Sequence, residues 1–258
     1  MPTSMPVSEV AIESCARCSK SPDLCVCASL QELSTRIHVL ILQHPQEPDK
    51  DLGSARLAHL ALPNSTLKTG LSWANLKKAL GRDDVQQTRW AVLYLGSGIK
   101  GKPHSPEAAA MAAQARLQFV NKVGGSVDAP AEPIEGIVVL DGTWSQAKTL
   151  WWRNAWLLKL RRVVLTPQYR SLYRELRKEP RRECLSTIES IAECATALGE
   201  TPEVEIGLKK IFSDLLDRQR ERMKARKQAA KAARAPRAET HVEVAGTSAG
   251  ADEVETRV

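Results

Sequence analysis

The sequence predicts an α/β fold: a mostly parallel sheet flanked by helices, with a small cysteine-rich segment before it and a basic helix after it. Three observations predict it. Short apolar runs of strand length recur along the chain, most are followed by a loop and a helix-length stretch, and 43% hydrophobic content over 258 residues suffices for one substantial core.

In chain order, residues 1–12 carry no structural signal and are expected to be a flexible N-terminus. The cysteine-rich segment follows over residues 13–30. Ile37-His38-Val39-Leu40-Ile41-Leu42 reads as a buried strand ended by Gln43-His44-Pro45. A helix is expected from Asp51 to Leu62, where Pro63-Asn64 stops it. Trp90 to Leu95 reads as a second strand closed by Gly96-Ser97-Gly98. Between Lys100 and Pro133 one helix is expected, Pro106 to Asn121, with a loose remainder rich in Gly and Pro. Ile134 to Leu140 reads as a third strand, followed by a helix from Trp144 to Leu160 and a short strand at Val163-Val164-Leu165. A basic loop containing Pro167 and Pro180 leads to helices over Ser186–Leu198 and Pro202–Ala230, the last capped by Thr201 with proline in its first turn. Residues 217–237 form a basic helical extension, and 238–258, poor in apolar residues, read as a disordered tail.

Four of the six cysteines crowd into Cys15-x-x-Cys18 and Cys25-x-Cys27, with six residues between the pairs. Four soft thiolates this close suit a closed tetrahedral zinc site, structural because no coordination position stays open. The spacing argues for metal in a reducing compartment rather than for a disulfide framework. No apolar run approaches the roughly 20 residues that span a bilayer, and Met1 to Val10 lacks the pattern of an export signal. The expectation is a soluble, cytoplasmic protein that needs no membrane.

The net charge of +7 is unevenly placed. Lys148 to Arg182 carries eleven Lys or Arg against Glu175 and Glu179, and Arg218 to Arg237 carries nine against Glu221. These stretches hold +9 and +8, leaving −10 for the remainder. Such polarity presents basic surface to an anionic partner, for which nucleic acid is the expectation.

Two short segments draw attention as candidate sites. Asp141-Gly142-Thr143-Trp144 stands at the carboxyl end of the third strand, where open α/β sheets bind ligands, so Asp141 could act as a base or orient a bound amine. Leu185-Ser186-Thr187-Ile188-Glu189 opens a helix just after Arg177, Lys178, Arg181 and Arg182, and a helix N-terminus favours anionic groups. Both segments also fit capping boxes, Thr143 with Gln146 and Ser186 with Glu189, so each reads equally as a helix start. Trp144, Trp151, Trp152 and Trp156 could stack nucleobases, although tryptophans at helical spacing usually belong to a core.

Together these motifs resemble the DTW-domain family, named for an Asp-x-Thr-Trp motif, whose characterised members are tRNA-uridine aminocarboxypropyltransferases. The resemblance runs through Cys15-x-x-Cys18 and Cys25-x-Cys27, Gln43-His44-Pro45-x-Glu47, Leu140-Asp141-Gly142-Thr143-Trp144 with Ala147-Lys148, Ser171-x-Tyr173, Arg177-Lys178-Glu179-Pro180-Arg181 and Leu185-Ser186-Thr187-x-Glu189. It departs from the family pattern at Leu95 to Lys100, which lacks a Pro-Ser pair, and in the insertion-like stretch that follows.

The resemblance implies a SPOUT-like fold with a knotted cofactor pocket in a catalytic domain over residues 36–216. It implies S-adenosyl-L-methionine as donor of a 3-amino-3-carboxypropyl group to N3 of a tRNA uridine, with methylthioadenosine released. Asp141, Thr143 and Trp144 would be catalytic, and Leu140, Ser186, Thr187 and Glu189 would surround the donor. Tyr173, Arg177, Lys178, Arg181 and Arg182 would bind RNA, and Cys15, Cys18, Cys25 and Cys27 would hold zinc. tRNA is the implied partner, with no obligate protein partner. Two alternatives are a SPOUT-type methyltransferase and a zinc-ribbon RNA-binding protein without activity.

Overall fold

The computed structural model describes residues 13–93, 115–167, 169–173, 176 and 185–234. Seven strands form one sheet: β1 (His38–Gln43), β2 (Ser65–Thr69), β3 (Trp90–Leu93), β4 (Leu117–Val120), β5 (Ser126–Val127), β6 (Gly136–Asp141) and β7 (Arg161–Leu165). Their order is β2-β1-β6-β3-β7-β4-β5. The first five in that order are parallel, and β4 runs antiparallel to both β7 and β5. The expected α/β class is therefore borne out, with an antiparallel hairpin added at one edge.

Five helices accompany the sheet among the described residues: α1 (Ala55–Ala61), α2 (Leu76–Leu80), α3 (Trp144–Arg153), α4 (Thr187–Ala197) and α5 (Pro202–Arg234). Two hydrophobic layers sandwich the strands. Val39, Ile41, Ile137, Val139 and Val163 point to the layer holding α1, α4 and the first half of α5. Leu40, Leu42, Val138 and Leu140 alternate to the opposite layer, with α2, α3 and Trp156. This is the two-residue strand period applied to strands buried on both faces, which is why β1 and β6 read as unbroken apolar runs. Trp90 lies across β6 at Gly136, where an added Cβ would come within 2.5 Å of the indole.

The basic C-terminal helix is observed as the distal part of α5. A unit ending at Arg222 separates from residues Met223 onward, whose described part is helical and exposed.

Three expectations need correction. Residues 117–121 do not continue a helix: Leu117 to Val120 form β4, with Leu117 and Phe119 packed on the first layer and Val120 buried. That is a period of two, and Asn121 shapes the following turn by accepting from the backbone N–H groups of Val123 and Gly125. Residues 115 and 116 are not helical either, and residues 106–114 of that expected helix, the loop at residues 96–98, residues 1–12 and the tail lie outside the described residues. The helix expected from Trp144 to Leu160 ends at Arg153, because buried Asn154 donates to the Leu150 and Leu71 carbonyls and turns the chain into a 3-10 segment, Ala155–Lys159. Finally, β2 and α2 have no counterpart in the expected element list.

Candidate functional site

Parallel register places Gln43 beside Asp141 at the carboxyl ends of β1 and β6. The alternation that sends Val139 toward α1 and α4 sends Asp141 the same way, so its carboxylate meets the start of α4 rather than α3. Asp141 is 5% exposed. Its Oδ2 accepts from Gln43 Nε2 at 2.9 Å, and its Oδ1 accepts a short hydrogen bond from the Thr187 hydroxyl. Gln43 is fixed in turn by the Thr69 hydroxyl, 3.1 Å from its Oε1. The backbone N–H of His44 donates to the Asp141 carbonyl, closing the loop of the Gln-His-Pro motif over the strand end.

Thr143 and Gln146 do form the capping box of α3. The Gln146 amide also donates to Gln46 Oε1 at 3.1 Å, tying the Gln-His-Pro loop to the helix start. Gly142 permits this closeness: a Cβ there would stand 2.9 Å from Gln146 Cβ and 3.4 Å from His44 Cβ. Trp144 is the first residue of α3 and is 43% exposed. Leu140 packs its side chain into the second core layer, so only its backbone belongs to the strand end.

Ser186 caps α4, and Glu189 completes the box at 2% exposure. The Glu189 carboxylate accepts from Ser171 Oγ, Ser186 Oγ and the backbone N–H groups of Ser186 and Leu172, at 2.6–2.9 Å. Glu189 therefore joins the Ser171–Tyr173 turn to α4. Ser54, which begins α1, accepts from the Ile188 N–H, so α1 and α4 start at one place.

Tyr173, expected at the RNA, is buried. Its hydroxyl donates to the Leu52 carbonyl, and its ring meets Phe212 edge-on at 5.0 Å. In this arrangement it braces the loop before α1. Arg177, Lys178, Arg181 and Arg182 lie outside the described residues.

Lys20, absent from the expected site, lies close enough to Asp141 to feel its charge. It follows the second cysteine by two positions, is buried, and donates through Nζ to the Lys50 carbonyl. Burial pushes its ammonium below the usual lysine range, while the nearby carboxylates of Asp51 and Asp141 oppose that shift. The only sequence signal was a lysine inside the cysteine segment. Arg222 adds a second tie, reaching Asp23 and Asp51 at 3.0 Å each.

The four cysteine sulfurs all lie within 4.8 Å of one another, with Cys15–Cys27 and Cys18–Cys25 at 3.7 Å. A tetrahedron of zinc–sulfur bonds near 2.3 Å places sulfurs about 3.8 Å apart, and a disulfide would be far shorter. The set fits a zinc ion. Backbone N–H groups of Cys18 and Arg17 bring the Cys15 thiol down to about 6, whereas burial pushes Cys18 and Cys27 up. Ser19 takes a positive φ of 58° at the turn between the pairs. Cys18, Leu24 and Val26 pack into the first core layer, so the knuckle is built onto the sheet's own core. No helix among the described residues is long and apolar enough to cross a membrane.

The geometry thus gathers the Gln-His-Pro loop, the Asp141–Trp144 turn, the Ser186–Glu189 helix start and the knuckle lysine at one end of the sheet. Comparison with known proteins gives a consistent picture. The chain is 29% identical over 182 residues to tRNA-uridine aminocarboxypropyltransferase 2 of Macaca fascicularis, covering 69% of this chain and 54% of the relative. The proteins of the same name in Mus musculus and Drosophila melanogaster are 28% and 27% identical, the latter over 74% of this chain and 68% of its own length. The chain spans about half the length of the two mammalian relatives. No solved structure gives a significant match. The family model described as DTW domain matches residues 12–220, most of the chain, and the protein belongs to the DTW domain family.

Proposed function

We propose that this protein is an S-adenosyl-L-methionine-dependent tRNA-uridine aminocarboxypropyltransferase. Support comes from the convergence of the family's motifs at one sheet end and from relatives named tRNA-uridine aminocarboxypropyltransferase 2. The donor would supply an electrophilic γ-carbon: the uracil N3–carbon bond forms as the sulfur–carbon bond breaks, methylthioadenosine leaves with the bonding pair, and the N3 proton passes to a base or water. A SPOUT-like knotted pocket is part of the proposal, supported by the parallel β1, β6, β3 and β7 and by the return of α4 to the carboxyl end of β6.

The role of Asp141 rests on one observation: both carboxylate oxygens already accept from neutral donors, Gln43 and Thr187. Two fixed neutral donors hold the carboxylate in one orientation, as an anchor for a bound cation requires. Asp141 is therefore assigned to holding the donor's ammonium, which would orient the γ-carbon toward uracil. Lys20 supplies a cation near the same place, suited to a carboxylate. Thr187 and Gln43 position Asp141, and Glu189 positions the Ser171–Tyr173 turn. Zinc held by Cys15, Cys18, Cys25 and Cys27 would brace the knuckle that carries Lys20 and would take no part in the transfer. The basic stretch around Arg177 to Arg182 and the distal part of α5 would meet tRNA phosphates, with salt-dependent binding.

Asp141→Asn tests the assignment. Donor affinity, measured by calorimetry, should fall about tenfold or more, the loss expected when a charge-assisted contact becomes neutral. Mass spectrometry of the RNA should show the aminocarboxypropyl adduct lost with it. Unchanged donor affinity with lost turnover would give Asp141 the base role instead, and full activity would remove both. A methyl adduct made by the wild type would replace the transfer reaction.

A further inference from the structure

Helix α3 carries an outward face that the core does not use. Trp144, Lys148 and Trp152 follow one another at intervals of four, so they form one row along the helix. Trp144 is 43% exposed and Trp152 is 77% exposed, while Ala147 and Leu150 on the other side are buried. Tryptophan is ordinarily among the well-covered residues, and apolar surface gathered on one face marks an interaction site. The segment Trp144–Arg153 contains no acidic residue.

The row has a direction. It starts three positions after Asp141 at the carboxyl edge of the sheet and runs back along the opposite layer. Beyond its end the chain turns at Asn154 into Ala155–Lys159, which with the β4–β5 hairpin and the start of β7 walls a cavity of about 530 Å³. Lys122, Lys159, Arg161 and Arg162 line that cavity, against the single acid Asp128. Aromatic side chains about 12 Å apart along a helix, a cation between them and a basic cleft beyond suit one ligand class. That class is an unpaired polynucleotide strand, whose bases stack on indoles while its phosphates meet the cations.

We infer that the outward face of α3 is a stacking track for unpaired RNA on one side of the target uridine, leading from the Asp141 end of the sheet to the basic cleft. The inference rests on the RNA-modifying reading above. A second copy of this chain is a poorer occupant, because a two-fold contact across the row would set Lys148 against Lys148.

The test uses the full chain, with unmodified tRNA and a short oligouridylate as ligands at fixed salt. Trp152→Ala should weaken binding of both about tenfold, the loss expected for one base–aromatic stack. Trp152→Phe should recover most of it. Lys148→Gln should make the salt dependence shallower by about one phosphate contact, and donor affinity should be unchanged in all three. Trp152→Ala binding RNA as tightly as wild type would overturn the track while leaving the proposed activity standing. A wild-type dimer that Trp152→Ala dissolves in sedimentation would also overturn it, as a self-interface. Wild type that binds donor but neither RNA would remove the track and the tRNA-modifying reading together.

Discussion

Two helix starts face the carboxyl end of β6, and they are built from the same short pattern. Thr143 with Gln146 caps α3, and Ser186 with Glu189 caps α4. In the first the box stays at the surface, its glutamine reaches only to Gln46, and the residue inside it is the exposed Trp144. In the second the box is buried, its carboxylate takes four hydrogen bonds, and the residue inside it, Thr187, holds Asp141. The difference lies in what surrounds each box. α3 begins at the rim of the layer it covers, whereas α4 begins among Ser54, Ser171 and the strand ends. An exposed cap contributes helix stability and leaves its neighbours free for a ligand. A buried one fixes several segments at once.

The sharpest way to break that contrast is Glu189→Ala. It strands four donors, three of them buried, and the expected loss is about 3 kcal/mol or more of unfolding free energy in urea, a large share of what a typical domain possesses. A loss under about 1 kcal/mol would mean the box is no more than a cap.

Acid should come next, because carboxylates tie α4 to α5 and to Arg116, whereas the α3 box is closed by glutamine. Glu193 on α4 pairs with Lys209 at 2.6 Å, and Glu205 pairs with Lys209 and with Arg116 at 2.6 and 2.7 Å. Burial alone would raise Glu205, but the hydrogen bonds from Arg116 and Lys209 hold it down to about 2. Its folded value is below its unfolded one, so the stability it contributes is present above the ordinary carboxylate range. That stability is lost as pH falls toward about 2. Thermal unfolding followed over this window should show the decline, and Glu205→Gln should flatten part of it.

The smallest effect belongs to Thr143→Ala, an exposed cap whose loss costs about 1 kcal/mol. The unfolding midpoint in urea should move slightly and donor affinity should hold. A loss as large as that of Glu189→Ala would erase the distinction between the two starts.

Much of this architecture was visible in advance, for identifiable reasons. β1 and β6 are buried on both faces, so they appear as continuous apolar runs. The cysteine pairs carry their own chemistry, and both capping boxes follow from four-residue spacing. β2 was missed because Ser65 to Thr69 forms a half-covered edge with no apolar signature. β4 was missed because Leu-Gln-Phe-Val alternates over only four residues, too few to outweigh the alanine-rich stretch before it. The RNA role expected of Tyr173 came from the family resemblance at Ser171-x-Tyr173, which says nothing of burial. The burial of Tyr173 depends on Phe212 and Leu52, 39 and 121 residues away.

The sequence by itself determined the α/β class, the knuckle's ligand set and the position of Asp141 at a strand end, because each depends on local composition and short spacing. Only the tertiary structure decided which identical-looking helix start is buried, that Asp141 turns toward Thr187 and Gln43, that Lys20 comes from the knuckle, and that Trp152 is left bare. Those outcomes depend on strand order and layer assignment, which bring together residues such as Asp141 with Thr187 and Gln43, 46 and 98 positions away, and leave no local pattern to read.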